Sequence, residues 1–282
     1  MRLSIYQGLF LICKFLPTSA EQCTSETFRI NPDKRDVKLQ GFTYRTFEKI
    51  SPRACFQKCI RRKRCHSYNY NRASLRCELN LNSICVSDGN FHNDIGYIYV
   101  EMDHYRGDPL FDPCVGNQCA EGEVCESLQN RKVVCLKDDC KIPKEELKNV
   151  APGKTSGQSS VYGNAIAAMA LDGLLSTHQH TNEEKFPYWW VDLGNMHNIM
   201  RIEIINALKP GYGNRLHNLD ISVGPCLDDL SLFAHFKGPG ISEQHLVFER
   251  RQYTDGRYVK LTIKGHTALH VSMVHVFAYP IC

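Results

Sequence analysis

Residues 187–205, PYWWVDLGNMHNIMRIEII, carry the period that decides the fold. Trp190, Val191 and Leu193 lead into Gly194, and beyond it Met200, Ile202 and Ile204 face one way while Arg201 and Glu203 face the other. Alternation with period two is the signature of a half-buried β-strand. It recurs at Leu219, Ile221 and Val223, and again at Val259, Leu261 and Ile263 set against Lys260, Thr262 and Lys264. Short strands at this spacing, broken by glycine and proline, predict an antiparallel β-sandwich over residues 141–282. A brief helix over Ala165–Ala170 is the one helical signal there.

The rest of the 282-residue chain has a different texture. It holds 14 cysteines, most of them between Cys23 and Cys140. Such density is stable where thiols are oxidised, which points to the secretory pathway. Zinc ribbons would need paired C-x-x-C knuckles, and none is present. The N-terminus agrees. Arg2 precedes the apolar run Leu9-Phe10-Leu11-Ile12-Cys13, and the small residues Thr18 and Ala20 place signal-peptide cleavage after Ala20. No later segment is apolar for the roughly 20 residues a bilayer span requires, and no hydrophobic tail suggests a lipid anchor. A net charge of +4 is too mild for a nucleic-acid binder. The expectation is a secreted, extracellular, multi-domain protein.

Ser51-Pro52 reads as an N-cap followed by proline at the first helical position. Cys55 with Cys59, and Phe56 with Ile60, then share one helical face, which looks inward. Tyr68 and Tyr70 alternate, as do Cys77, Leu79 and Leu81, so a helix stapled onto a sheet explains the pattern. Cys55-x3-Cys59-x5-Cys65, then Tyr68-x-Tyr70 and Cys77-x-Leu79, resembles the PAN/apple module, an α+β disulfide-rich fold assigned here to residues 21–104. The resemblance implies bridges Cys55–Cys77 and Cys59–Cys65, a bridge from Cys23 to Cys85, and binding of proteins or carbohydrates without chemistry. The run Arg61-Arg62-Lys63-Arg64 has three readings: an anion patch for sulfated glycans, a basic processing site, which its place inside a disulfide loop disfavours, or cations favoured by the helix C-terminus and left in water.

Residues 112–140, with Cys114, Cys119, Cys125, Cys135 and Cys140, resemble a shortened EGF- or follistatin-like knot. The segment has too little apolar content for a core, shows no alternating strands, and reads as a spacer.

In the C-terminal part, Asn149-Val150-Ala151, Thr155–Ser160, Ala170-Leu171-Asp172-Gly173, Pro187–Gly194 and Gly256-Arg257-Tyr258-Val259 occur in order. Together they resemble the fucolectin (F-type lectin) branch of the discoidin-like jelly rolls. The resemblance implies an all-β jelly-roll sandwich whose end loops bind a sugar through a histidine and two basic residues. His180 fits the family histidine and Arg215 the second basic residue. Where the first basic residue and its acidic neighbour should follow Asn206, this chain reads Ala207-Leu208-Lys209, leaving Lys209 as a substitute. Tyr212 offers an apolar platform for a sugar face. Cationic donors suit sugar hydroxyls because charge-assisted hydrogen bonds are the stronger class.

The family also implies a structural calcium with Asp172 as one ligand. Met273 stands where an acidic ligand belongs, and calcium takes six to eight oxygens, so weak or absent calcium is expected, with Asp172 holding its turn. His178 and His180 form an H-x-H pair, but the neighbouring sequence supplies no further zinc ligands. Pairing Cys140 with Cys282 would tie the domain's ends and leave Cys226 over, as a free thiol or a link to another chain. No nucleophile–base motif, phosphate loop or paired-carboxylate motif suggests an enzyme. Two functions follow from the reading. One is recognition of glycans or glycoproteins, among them fucosylated ones, with the PAN module adding a protein contact. The alternative is cell- or matrix-adhesion through protein ligands with a degenerate sugar site.

Overall fold

In a computed structural model of the chain, residues 8–13, 23–28, 30–81, 90–116, 119–120, 123–128, 132–138 and 147–279 are described, the first two segments by their backbone alone. Strand β1 (Gly8–Cys13) pairs antiparallel with β2 (Cys23–Phe28). The cleavage point after Ala20 lies outside the described residues, as do Cys85, Cys140 and Cys282, and with them the expected Cys23–Cys85 and Cys140–Cys282 bridges. Among the described residues no helix is long and apolar enough to cross a membrane.

Five strands and one helix form the first module. They are β3 (Lys34–Leu39), β4 (Thr43–Phe47), α1 (Pro52–Ile60), β5 (Ser67–Asn71), β6 (Arg76–Asn80) and β7 (Phe91–Glu101), with sheet order β3-β7-β5-β6-β4. Ser51 starts the helix, its hydroxyl accepting from the Ala54 amide at 3.1 Å. Cys55, Phe56, Cys59 and Ile60 bury the inner face of α1 against Tyr68, Tyr70, Leu79 and Val100. Disulfides Cys55–Cys77 and Cys59–Cys65 fasten that face to the sheet.

The next segment is a hairpin, β8 (Glu123–Ser127) against β9 (Val133–Lys137), with Cys125 opposite Cys135. Bridges Cys114–Cys125 and Cys119–Cys135 hold it. The expectation of no strands here is therefore corrected. Val133 and Leu136 are exposed, so the hairpin has no apolar face that would show as alternation.

The third module uses β10 (Lys148–Asn149), β11 (Thr155–Gln158), β12 (Gln179–His180), β13 (Glu184–Lys185), β14 (Tyr188–Asn206), β15 (Leu219–Cys226), β16 (Asp229–Phe236), β17 (His245–Ile263), β18 (His266–Thr267) and β19 (His270–Tyr279). The 19-residue strands β14 and β17 belong to one eight-stranded sheet and change pairing partners along their length. The first part of β14 pairs with β11 and the end of β17; its second part pairs with β19 and the start of β17. Bulges between Asp192 and His197 and between Ile199 and Arg201 make the bend. The second bulge also breaks the alternation at Met200, so that Ile199, not Met200, is fully buried with Ile202 and Ile204. The helical signal at Ala165–Ala170 becomes a single 3-10 turn, Ala167–Ala170, whose Ala167 carbonyl accepts from the buried Trp189 indole at 3.0 Å.

Arginines join the modules. Arg61 pairs with Glu126 at 2.6 Å, and the buried Arg62 pairs with Asp138 at 2.7 Å while also donating to the Lys58 carbonyl at the helix end. Arg45 reaches the same Asp138. Arg64 pairs with Asp255 of the sandwich at 3.2 Å and lies over Tyr44. The basic run is thus neither a free anion patch nor left in water: only Lys63 of the four is exposed, and the arginines serve the seams, Arg62 also meeting the helix C-terminus. Cys226 is disulfide-bonded and packs with Leu39, Phe42 and Tyr99 of the first module, which overturns the free thiol or interchain link. A thiol at that strand end looks spare only while the chain is read one module at a time.

Arg257 works on both sides of the same seam. Its Nε and Nη2 donate to the two oxygens of Asp192 at 2.6 and 2.7 Å, and its guanidinium lies over Phe42 of the first module. A Cβ at Gly41 would sit 2.2 Å from Arg257 Nη1, and Gly41 has φ +88°, so both space and backbone require glycine. Burial pushes the Asp192 carboxyl up, but the Arg257 bonds, the Gly194 amide and the Tyr258 hydroxyl outweigh it and hold it below the usual range. Because the folded value lies below the unfolded one of about 3.9, the pair stabilises fully above that pH and its contribution is lost as pH falls through the folded value. Asp192→Asn is expected to cost about 3 kcal/mol near neutrality, read by denaturant unfolding, and to leave a curve less dependent on pH below about 4.

Candidate functional site

One end of the sandwich gathers His180, Arg215, Tyr212 and Lys209. The loop after β14 that bears the last three is fixed from beneath by Asn206, which is fully buried. Its amide donates to the carbonyls of Gly213 at 2.8 Å and Ile241 at 2.9 Å, and its oxygen accepts from the Ala207 amide. Ser242 adds a second clamp, accepting from the Gly213 amide and donating to the Lys209 carbonyl at 2.9 Å. Gly213 lies so close to the Ile241–Ser242 backbone that a Cβ would meet Ser242 N at 2.1 Å. A short 3-10 turn, Gly213–Arg215, then presents the arginine.

Arg215 Nη1 lies 3.3 Å from His180 Nε2. His180 Nδ1 is 2.5 Å from the Thr181 carbonyl, so Nδ1 carries the proton and Nε2 is the acceptor for Arg215. Tyr212 is flanked by two cations, with Arg215 4.4 Å and Lys209 4.7 Å from its ring centre. Exposed Tyr162 stands 4.7 Å from the His180 ring.

Sequence reasoning missed His270. It faces His180 across the β12–β19 pairing, with ring centres 4.5 Å apart, and it is also 4.5 Å from His178. Nothing in its local spacing marks it, since only the strand pairing brings it to the site; Tyr162 arrives on a loop, its amide donating to the His180 carbonyl at 2.9 Å. His270 is buried, and its Nδ1 has no hydrogen-bond partner. Burial first, then the neighbouring His180, His178, Arg215 and Lys209, push its imidazole down to about 3. Burial also lowers His180, the Thr181 carbonyl working the other way and Arg215 and His178 adding to the lowering. Both rings are therefore neutral at physiological pH.

Asp172 stands apart from this group in its own turn. Its oxygens accept from the Leu174 amide at 2.8 Å and the Thr177 hydroxyl at 2.7 Å. Met273, nine-tenths buried, offers no side-chain oxygen, so the residues present do not fit a calcium ion. The three imidazoles do not converge on a metal either. Among the described residues the one group with three ligand atoms within 4.8 Å of one another is Cys119, Glu123 and Cys135, whose sulfurs are joined to each other.

Residues 33–103 match the family model for the PAN domain. The sandwich is similar to the lectin domain of lectinolysin complexed with Lewis B antigen, at 30% identity and TM-score 0.44, over 47% of this chain and 98% of that one. It is similar also to a Streptococcus pneumoniae fucose binding module, at 24% identity and TM-score 0.43, over 47% of this chain and 99% of that one. A third likeness is the family 32 carbohydrate-binding module of C. perfringens NanJ in complex with galactose, at 19% identity and TM-score 0.39, over 47% and 98%. No curated protein matches the chain. The chain therefore holds a segment matching the PAN domain, followed by an all-β sandwich.

A histidine whose folded pKa is lowered stabilises fully above its unfolded value of about 6.5 and loses stability as pH falls below it, because the unfolded chain binds the proton more readily. The sandwich is expected to lose about 4 °C more in melting temperature between about pH 7 and pH 5 than a His270→Asn variant does. Thermal unfolding of both proteins across that range checks it; parallel curves would mean that His270 is protonated as easily folded as unfolded.

Proposed function

We propose that the C-terminal sandwich recognises glycans, in a secreted protein whose PAN module supplies a second, protein-directed contact. The observation that carries the reading is the Arg215–His180 contact at 3.3 Å, set between the rings of Tyr212 and Tyr162. A sugar has polar hydroxyls around a less polar ring face. It needs fixed donors and acceptors for the first and an aromatic surface for the second. Here Arg215 is the donor, neutral His270 can donate or accept, and the tyrosines offer ring faces. The loop that holds them is anchored by Asn206 and Ser242, so little ordering cost remains at binding. In this reading Lys209 replaces the missing first basic residue, and Asp172 shapes a neighbouring turn rather than touching ligand.

A broad glycan array and a fucose-agarose column with the full chain test the proposal. Retention on some sugar is expected, weakened about tenfold in Arg215→Ala. No retention on either support would sink it and leave adhesion through protein ligands as the function.

A further inference from the structure

Taking glycan recognition at this end of the sandwich as the premise, the charge distribution names the kind of sugar. Lys209 and Arg215 lie against the same Tyr212 ring, and among the described residues neither has a carboxylate partner. At the seams the arginines Arg61, Arg62, Arg64 and Arg257 each meet a carboxylate, whereas Arg106 is held, among the described residues, by backbone carbonyls alone. The groups acting electrostatically on His270 are His180, His178, Arg215 and Lys209, with no acidic residue among them. Asp172 has both oxygens engaged within its own turn. Buried His270 keeps Nδ1 without a hydrogen-bond partner.

We propose that this site selects sugars bearing a negative charge, a carboxylate or a sulfate, over their neutral counterparts. Two cations held against one ring repel each other, and an anion seated beside them relieves that repulsion while accepting charge-assisted hydrogen bonds. Neutral imidazoles fit the same ligand. Neutral His270 adds no further positive charge beside the two cations, and His180 directs Arg215 by accepting from it at 3.3 Å. A neutral sugar would accept hydrogen bonds from the same cations but bring no opposite charge, leaving their repulsion unopposed.

The test is calorimetry on the full chain with matched pairs: sialyllactose against lactose, glucuronic acid against glucose, and sulfated galactose against galactose. At least one charged member is expected to bind about tenfold more tightly than its neutral partner at about 0.05 M salt. That preference should shrink several-fold at about 0.5 M, where screening shortens to a few ångströms. Which pair shows it separates carboxylate from sulfate recognition, and either supports the proposal. Lys209→Gln and Arg215→Gln should each reduce the preference, whereas Lys63→Gln, an exposed charge on the first module, should keep it. Unchanged melting curves show that the variants fold. Neutral sugars binding as well as charged ones would overturn the proposal while leaving glycan recognition intact, and so would a preference that survives both site variants. Failure of every sugar to bind would instead remove the premise.

Discussion

The Asp192–Arg257 pair is the interaction on which the rest of the molecule hangs. Asp192 lies where β14 begins its bend and Arg257 lies in the facing stretch of β17. Both side chains are largely withdrawn from water, at 16% and 13% exposure, so neither charge is tolerable without the other. Two parallel N–H···O bonds fix distance and plane at once, which a lysine could not do. The guanidinium plane so fixed is the surface on which Gly41 and Phe42 of the first module settle. A contact internal to one module thereby sets the approach of another.

The same logic runs along the other seams. The hairpin buries little hydrocarbon, Val133 and Leu136 being exposed. It docks through polar contacts, the Cys125 amide donating to the Arg61 carbonyl at 3.0 Å and Arg45 and Arg62 converging on Asp138. Burial by itself raises the Asp138 carboxyl, but hydrogen bonds and charge from Arg62 and Arg45 bring it below the usual range. Such pairs are poor sources of net stability, because desolvation cancels much of the attraction, yet breaking one strands a buried charge. What they supply is a defined orientation between modules that share little apolar surface.

That division explains what was legible in the chain. The strand pattern of residues 199–204 and the helix face of Cys55, Phe56, Cys59 and Ile60 are local, since each follows from a period of two or of three to four. His180, Arg215, Tyr212 and Lys209 were reachable through ordered motifs, and the structure brings all four to one end of the sandwich. His270 was not, because its place depends on β12 pairing with β19 across 90 residues of chain. The basic run was misread for the same reason. Nothing near Arg61–Arg64 in sequence shows that Glu126, Asp138 and Asp255 wait for it. Cys226 looked spare because its packing partners, Leu39, Phe42 and Tyr99, belong to another module.

The loop that carries Lys209, Tyr212 and Arg215 shows how a surface segment acquires the stiffness that weak ligands require. Loops are ordinarily the mobile part of a fold, and ordering one on contact subtracts from affinity. Here the ordering is done in the free protein. Asn206 uses its amide and its oxygen on three backbone groups, and Ser242 uses its hydroxyl on two more. Gly213 lets the strand-side backbone come close enough for both clamps to reach. A monosaccharide offers few atoms to hold, so its binding energy is small in any pocket. A loop whose polar groups are satisfied from below, with its cations and rings turned outward, spends none of that small energy on arranging itself.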